Sequence, residues 1–328
     1  MERGATVKAI IVPALGGPEN LVLDDLVEPV AGPGELLVDV TAAGVNYVDI
    51  YHRRGLYDAT LPFIPGQEGA GTVSAVGEGV EGFGIGDRVG WTDVRGSYAE
   101  RHVIPVDRAV PIPDGLDSRT VAAVLLQGLT AHYLATDTFP LRPGSKCLIH
   151  AGAGGVGLLL TQIAKMLGAE VFTTVGSAEK AELSREAGSD HVIVYTQTDF
   201  KDEIEETAGP KPLDVVYDGV GSDTFMRGLD LLRPRGMMVT FGNASGPAPE
   251  IAPLLLSQKG SLFLTRPTMA HYLQTRDELL SRCSDLFSWV QSGEVEVRIG
   301  HEYPLANAAD AHRALEGRQT TGKVLLLP

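Results

Sequence analysis

A glycine-rich segment near the middle of the chain, AGAGGVG, could bind a phosphate group. It matches the pattern G-x-G-x-x-G with Gly152, Gly154 and Gly157. In a nucleotide-binding loop the first glycine allows a tight turn, the second lets the backbone approach a pyrophosphate, and the third lets a helix pack closely on a strand. Backbone N–H groups at the start of that helix attract the anion. We therefore expect Gly154, Gly155 and Val156 to donate N–H groups to a dinucleotide.

The residues about 20 positions further on indicate which dinucleotide is bound. NAD-binding folds usually place Asp or Glu at the end of the second strand, where it holds the ribose 2′-hydroxyl. No carboxylate lies between Val171 and Ala178, and Ser177 and Lys180 are present instead. A hydroxyl and an ammonium suit a 2′-phosphate, which predicts NADP (NADPH). The alternative is that Ser177 only caps the next helix and that Lys180 is a solvated residue partly neutralised by Glu179.

The elements that must position this loop form an alternating series of strands and helices. Such alternation is typical of βαβ units in a doubly wound parallel sheet. The predicted strands are 146–150, 171–175, 191–195, 213–217, 237–241 and 263–265, and the predicted helices are 154–167, 178–187, 199–207 and 224–232.

The first 125 residues or so have a different pattern, with short apolar runs between Gly and Pro clusters. We interpret this region as all-β, a barrel or sandwich. From Asp117 the pattern changes, and Ser118 is the expected cap of a buried helix. The tail from about Arg276 predicts a long helix, a strand at 295–299, a helix at 307–315 and a strand at 323–327, which we expect to return to the N-terminal domain.

Length and composition exclude several classes of protein. The chain has 328 residues, enough for about two domains, and 44% hydrophobic and 21% charged residues exclude wholesale disorder. Its net charge of −15 disfavours nucleic acid and anionic membranes as partners. No apolar run approaches the ~20 residues that span a bilayer. The N-terminal stretch predicts a strand rather than a signal peptide, and two cysteines exclude a disulfide framework. We expect a cytoplasmic protein.

Several segments resemble a known family. The segments GVNYVDIYHRRGLY, VYDGVGSDTF and LTRP, together with AGAGGVG, are similar to the medium-chain dehydrogenases/reductases, and more narrowly to the zeta-crystallin-like quinone oxidoreductases. The resemblance covers nearly the whole chain. It implies an α/β protein with a GroES-like β domain formed by 1–127 and 270–328, a doubly wound Rossmann domain at 128–269, and an active site in the cleft between them.

The same resemblance bears on metal binding. Zinc-dependent members of the superfamily use a cysteine and a histidine at the positions that match Asn46 and Gln67 here. Amides are poor Zn²⁺ ligands compared with thiolate and imidazole, and Glu68 alone does not make a site. No helical pairing that would replace the ligands is found among His52, His102, His132 and His150. We therefore predict no metal.

The resemblance also implies which side chains contact substrate and cofactor. Asn46, Tyr51 and Thr130 are expected near the nicotinamide, and Tyr51 either donates its hydroxyl to a substrate oxygen or is an aromatic plug. Tyr195, at the end of the third strand, and Arg318 are expected near the 2′-phosphate. Residues of the fifth and sixth strand ends are expected under the nicotinamide, although their pattern alone would also suit core positions: Phe241, Gly242, Asn243, Phe263, Leu264 and Thr265.

These observations predict an NADPH-dependent, zinc-independent quinone oxidoreductase. Without a Lewis acid, alcohol oxidation is disfavoured, whereas an acceptor that is already electrophilic needs only an oriented hydride donor. An alkenal or enone reductase is the alternative within the enzyme class. A non-catalytic role, structural or RNA-binding, is the alternative outside it, and the charge and the glycine pattern oppose it. The segment GSLFLTRPTM resembles an edge strand through which such proteins pair, which predicts a homodimer.

Overall fold

The structure is a computed structural model that describes residues 5–328. Its strands, in chain order, are β1 (Thr6–Ile11), β2 (Val22–Val27), β3 (Glu35–Val45), β4 (Glu68–Val76), β5 (Arg88–Thr92), β6 (Arg101–Pro105), β7 (Val110–Pro111), β8 (Lys146–His150), β9 (Glu170–Val175), β10 (His191–Val194), β11 (Leu213–Asp218), β12 (Leu232–Thr240), β13 (Phe263–Thr265), β14 (Ile299–Pro304) and β15 (Lys323–Leu327).

The helices interrupt these strands mainly in the second half of the chain. In chain order they are α1 (Tyr47–Arg54), α2 (Ser118–Tyr133), α3 (Gly155–Met166), α4 (Ala178–Glu186), α5 (Phe200–Ala208), α6 (Phe225–Leu231), α7 (Pro253–Gly260), α8 (Arg276–Ser292) and α9 (Ala308–Glu316). Within the part of the chain that the structure describes, none of them is both long and apolar enough to cross a bilayer.

The chain divides into two compact units. The first comprises the described residues up to Leu126 together with Leu273–Gln291 and Val297–Pro328, and the second comprises Gln127–Tyr272 and Ser292–Glu296. The tail therefore belongs largely to the same unit as the N-terminal strands.

The first unit is built on a sheet with the strand order β14-β15-β3-β4-β5-β7. Strand β3 is its centre, because it pairs with β4, β6 and β15. β1 and β2 form a separate antiparallel pair. The apolar core includes the fully buried Trp91, Tyr98 and Ile104.

Three predictions for this unit are wrong in detail. The region before residue 125 is not all-β, since α1 lies within it. Asp117, not Ser118, caps α2, because its carboxylate accepts from the N–H of Thr120 at 2.9 Å. The tail strand runs from Ile299 to Pro304, so it shares only one residue with the strand predicted at 295–299.

The second unit contains a parallel sheet with the strand order β10-β9-β8-β11-β12-β13. Every neighbouring pair in it is parallel. The chain starts at β8 in the middle, builds outward to β10, and then returns to build the other half. Such an order places its switch point between β8 and β11, where ligands of doubly wound sheets bind. The predicted doubly wound sheet is confirmed.

Candidate functional site: a nucleotide-binding loop and a buried polar cluster

The glycine loop connects β8 to α3, and two of its glycines are sterically required. A Cβ on Gly157 would lie 2.3 Å from the carbonyl oxygen of Ala151, and a Cβ on Gly152 would lie 2.6 Å from the Cβ of Thr173. Gly154 is different: its φ of −78° is ordinary, and the nearest atom to a Cβ would be 3.2 Å away. A side chain at Gly154 would therefore be in tight contact with the Ala151 carbonyl, although it would clash less severely than one at Gly157 or Gly152.

The N–H groups of the loop differ from expectation at one position. The N–H of Gly154 donates to the carbonyl of Ala151 at 2.8 Å, so it is already used within the loop. Gly155 and Val156 form the first turn of α3, where no preceding helical carbonyl is available as a partner. These two are the residues whose N–H groups suit an anion, and the cradle fits a pyrophosphate.

Three of the four residues predicted for the 2′-phosphate, Ser177, Lys180 and Tyr195, follow the ends of β9 and β10. The Oγ of Ser177 accepts from the backbone N–H of Lys180 at 3.3 Å, so Ser177 does cap α4. A capping oxygen accepts, which leaves the hydroxyl proton to donate elsewhere. Tyr195 is 40% exposed, and its hydroxyl lies 2.8 Å from where a Cβ of Gly176 would be. Capping and phosphate binding by Ser177 are therefore compatible.

The ends of β12 and β13 are tied together by an arginine that sequence reasoning missed. One guanidinium nitrogen of Arg266 is 3.2 Å from Thr240 Oγ1 and 3.0 Å from the carbonyl of Gly242. With its amide turned to suit its neighbours, Asn243 accepts from the same guanidinium at 3.0 Å. Arg266 directly follows β13 in the LTRP segment, which is the signal that could have found it. Phe241 and Gly242 follow β12 as predicted.

Of the residues predicted in the sixth strand, two point away from the core. Phe263 and Leu264 in β13 are 56% and 38% exposed, whereas Thr265 is half-buried. Their predicted contact with the cofactor stays a prediction. Arg318 lies in the first unit on the turn after α9, with a positive φ of 56°.

Thr130 lies on α2 within a small aromatic cluster. It is buried, and its hydrogen bond to Tyr133 partly offsets the burial that raises the pKa of that phenol. The ring of Tyr133 stacks on Tyr272, with 4.2 Å between centroids and 9° between planes. The hydroxyl of Tyr272 accepts from Thr138 at 2.9 Å. The contact predicted between Thr130 and the nicotinamide stays a prediction, and neither tyrosine was among the predicted residues.

In the first unit, Asn46 stands at the start of α1 and is held on both sides of its amide. Its Nδ2 donates to Glu68 Oε1 at 2.7 Å, and its Oδ1 accepts from the ammonium of Lys323 at 3.0 Å. Lys323 and Glu68 form an ion pair that is shielded from water. Burial lowers the pKa of Lys323, and the nearby Glu68 opposes that shift.

Tyr51, on the same helix, belongs to an aromatic group. It is 7% exposed, and its ring meets Tyr57 edge-on at 5.2 Å and lies 6.0 Å from Tyr47. This packing favours the aromatic-plug interpretation. Donation of its hydroxyl to a substrate stays a prediction.

The donor set around Asn46 does not fit zinc. The Asn46 amide is bound by a lysine and a carboxylate, and the Gln67 amide lies 3.2 Å from the Nε2 of His52. The guanidinium of Arg95 lies 3.2 Å from the other nitrogen of that ring. Among residues 5–328 no group of three or more His, Cys, Asp or Glu side chains could hold a metal ion. Amide ligands beside two fixed cations oppose a divalent metal.

We expect purified protein to carry no stoichiometric zinc and to keep its activity in the presence of a chelator, because thiolate and imidazole ligands are missing at both matching positions. Elemental analysis after chelator-free purification measures this. About one zinc per chain would contradict the interpretation.

A second buried chain of polar groups begins at the backbone of Asn46. Its N–H donates to Asp49 Oδ2 at 2.9 Å, and the Tyr98 hydroxyl donates to the same oxygen at 3.1 Å. His312 Nε2 is 3.1 Å from that hydroxyl, and His312 Nδ1 is 3.1 Å from Arg53. A guanidinium only donates, so His312 accepts at Nδ1 and carries its proton on Nε2. Each of these hydrogen bonds therefore has a defined donor and acceptor, and together they connect α1 to α9.

Two members of this hydrogen-bond series, Asp49 and His312, have shifted pKa values. Burial raises the pKa of Asp49 to about 7. The N–H of Asn46, the hydroxyl of Tyr98 and the charge of Lys323 lower this pKa, and the charge of Glu68 raises it. Burial and the charge of Arg53 lower the pKa of His312 to about 3. Arg53 itself is neutralised by Glu316, with nitrogen–oxygen distances of 2.8 and 2.9 Å.

These pKa shifts predict opposite effects on stability. Asp49 binds a proton more tightly in the folded state, with a pKa of about 7 instead of 3.8, so it makes stability fall as the pH rises between those values. His312 binds a proton less tightly when folded, with a pKa of about 3 instead of 6.5, so it makes stability rise over that window. In the wild type the two slopes offset each other where the windows overlap.

Asp49→Asn removes one slope. We expect the free energy of unfolding of the wild type to fall relative to the variant by up to about 1.4 kcal/mol per pH unit between about pH 4 and 7. Urea unfolding of both proteins at several pH values measures the difference. A difference that stays constant over this range would show that Asp49 titrates normally.

Comparison with known proteins places these features in a family. Residues 32–114 match the model for the alcohol dehydrogenase GroES-like domain, and residues 155–287 match the model for a zinc-binding dehydrogenase. A quinone oxidoreductase of Pseudomonas aeruginosa is 45% identical over 98% of this chain and 99% of its own length. A 2-haloacrylate reductase of a Burkholderia species is 40% identical over 98% of this chain and 99% of its own.

A solved structure agrees with these relatives. The Escherichia coli quinone oxidoreductase complexed with NADPH superposes with a TM-score of 0.92 at 42% identity, covering 99% of this chain and 100% of that one. The chain belongs to the medium-chain dehydrogenase/reductase family. Within it, these full-length relatives place the chain in the quinone oxidoreductase branch. The predicted resemblance and the GroES-like and Rossmann fold class are confirmed.

Proposed function

We propose that the protein transfers a hydride from NADPH to a quinone without a metal. The observation that carries the cofactor part of this proposal is the glycine loop, which opens α3 with first-turn N–H groups at Gly155 and Val156 and has tight spacing at Gly152 and Gly157. Support comes from the residues that follow β9, where the hydroxyl of Ser177 and the ammonium of Lys180 are present instead of a carboxylate. Further support comes from the E. coli relative, whose structure contains NADPH.

In this proposal the chain binds and orients its reactants. When bound, NADPH supplies a hydride to an electrophilic acceptor. Ser177, Lys180 and Tyr195 would hold the 2′-phosphate, and the first turn of α3 would hold the pyrophosphate. Arg266 would fix the backbone that follows β12, where the proposed nicotinamide contacts lie. A quinone that has accepted a hydride can take its proton from water, so no side chain needs to act as a general acid.

Asn46, Tyr51 and Thr130 would contact the nicotinamide or the acceptor. For Asn46 this means presenting an amide whose two ends are already fixed by Glu68 and Lys323. Fixing such a group before the substrate arrives lowers the cost of orienting it in the reaction.

The assay is the loss of NADPH absorbance when a panel of benzoquinones and naphthoquinones is added. We expect turnover with NADPH and much weaker turnover with NADH. Tight NADPH binding without oxidation by any quinone of the panel would rule out quinones as substrates while keeping the cofactor assignment.

Reduction of an activated alkene is the second candidate. The observation in its favour is the 2-haloacrylate reductase relative, which matches 98% of the chain at 40% identity. The same assay with a 2-haloacrylate and a simple enone, followed by product analysis for the saturated compound, distinguishes it from quinone reduction.

We also infer that the protein is a cytoplasmic homodimer. Within the described residues β13 pairs with β12 alone, and Phe263 and Leu264 leave apolar surface on this edge strand. An open apolar edge is prone to pair with another strand, and a second copy of the chain offers the same edge. The molar mass in solution distinguishes dimer from monomer.

A further inference from the structure

The ion pair beside Asn46 is costly for the protein to keep. Glu68 and Lys323 have side-chain exposures of 0% and 1%. Removing two charges from water has a large desolvation penalty, and a well-packed apolar pair is often as stable or more stable. The pair therefore calls for a role other than stability.

The sequence makes room for this pair at one glycine. Lys323 is on β15 and Glu68 is on β4, and β3 runs between these strands. A Cβ on Gly44 of β3 would lie 2.3 Å from Glu68 Oε1 and 2.6 Å from Lys323 Cε. The pair crosses the face of β3 at a position that carries no side chain.

The partners fix which end of the Asn46 amide is which. A lysine ammonium has only donors, and a carboxylate has only acceptors. The Asn46 oxygen must therefore face Lys323, at 3.0 Å, and its nitrogen must face Glu68, at 2.7 Å. The second oxygen of Glu68 is itself held by the N–H of Leu126 at 2.7 Å. A flipped amide would place donor against donor and acceptor against acceptor.

We propose that Lys323 and Glu68 are positioning residues that hold the Asn46 amide in one orientation. The Lys323 ammonium binds the amide oxygen, and the Glu68 carboxylate binds the amide nitrogen. The proposal rests on the proposed function only in taking Asn46 as a group that faces the reactants. Glu68 and Lys323, which are distant from each other in the sequence, would then help to orient the reactants by holding Asn46.

The first experiment compares Lys323→Met, Glu68→Gln and the double variant. Each single variant leaves one buried charge without its partner, so we expect a lower unfolding midpoint and lower turnover. The double variant has no uncompensated charge, so its midpoint should return towards the wild type. The amide that replaces the Glu68 carboxylate could bind either end of the Asn46 amide, and the Gly44 carbonyl, 3.4 Å from Asn46 Nδ2, accepts only a long hydrogen bond. We therefore expect kcat to stay at least about tenfold low, as for a misplaced catalytic contact.

Turnover that returns together with stability would show that the pair is only structural. Lys8→Met is the matched control, because Lys8 pairs with Asp25 at 3.3 Å while about half of its side chain is exposed. Such surface pairs contribute little, so this variant should change neither quantity.

A second measurement needs no variant and no substrate. The side-chain amide protons of Asn46, observed by NMR in the wild type, should exchange slowly with solvent and give one set of signals. Fast exchange or two sets of signals would overturn the proposal even if the variants fail to fold. If no quinone or activated alkene oxidises NADPH in the presence of the wild type, the proposed function fails, whereas this measurement still tests the locked amide.

Discussion

Gly154→Asp is expected to reduce NADPH binding by roughly a thousandfold. The substitution places a carboxylate where the pyrophosphate is proposed to lie, and two like charges about 4 Å apart near a protein surface repel by about 4 kcal/mol. The φ of −78° at Gly154 suits any residue, but a Cβ there would lie 3.2 Å from the Ala151 carbonyl oxygen, which is a tight contact. The unfolding midpoint of the variant is therefore measured together with its binding. Fluorescence titration with NADPH measures the loss.

Two further variants separate charge from shape. Gly154→Ala adds only the Cβ, so it should weaken NADPH binding less than Gly154→Asp. Gly157→Ala should instead lower the unfolding midpoint, because its Cβ would lie 2.3 Å from the Ala151 carbonyl oxygen. If Gly154→Asp binds NADPH with unchanged affinity, the AGAGGVG segment does not contact the phosphates.

The second unit could be predicted well from the sequence because its information is local. Most strands contain a short apolar run, and α4 shows the clearest helix limits, with a cap at Ser177 and Gly188 just after its end. Helix α7 lacks a side-chain cap and was not predicted. The order of the parallel sheet then follows from the βαβ connections. Local patterns failed at α1, because the first 125 residues or so were interpreted as all-β although no strand was assigned to this segment. The signal present there was Asn46 followed three positions later by Asp49, whose carboxylate accepts from the Asn46 N–H.

The buried polar cluster of the first unit could not be predicted in this way. Lys323 and Asn46 are separated by 277 positions, and His312 and Tyr98 by 214. No spacing or periodicity relates residues so far apart. Lys323 is the first residue of the apolar final strand, where a lysine is ordinarily exposed to solvent. Only the fold shows that this lysine is buried and that Glu68 is its partner.

Lys180→Ala is expected to weaken NADPH binding by about ten- to more than a hundredfold and to leave NADH binding nearly unchanged. A charge-assisted hydrogen bond contributes roughly 1.5–3 kcal/mol, and NADH has no 2′-phosphate to receive it. The structure places the helix cap Ser177, Lys180 and the half-exposed Tyr195 around the ends of β9 and β10, without a carboxylate on the second strand end.

The preference for NADPH should also shrink as salt is added, because a charge contact near the surface is screened. The dissociation constants of both cofactors, measured for wild type and variant at low and high salt, test this. Lys201→Ala is the matched control, since it removes the same charge from another helix, where Lys201 pairs with Glu205 at 2.9 Å. If wild type binds NADH as tightly as NADPH, or if Lys180→Ala weakens both equally, the selectivity lies elsewhere. The ammonium of Lys180 would then be a solvated group on α4. The absence of a carboxylate at the end of β9 would not determine which cofactor is bound.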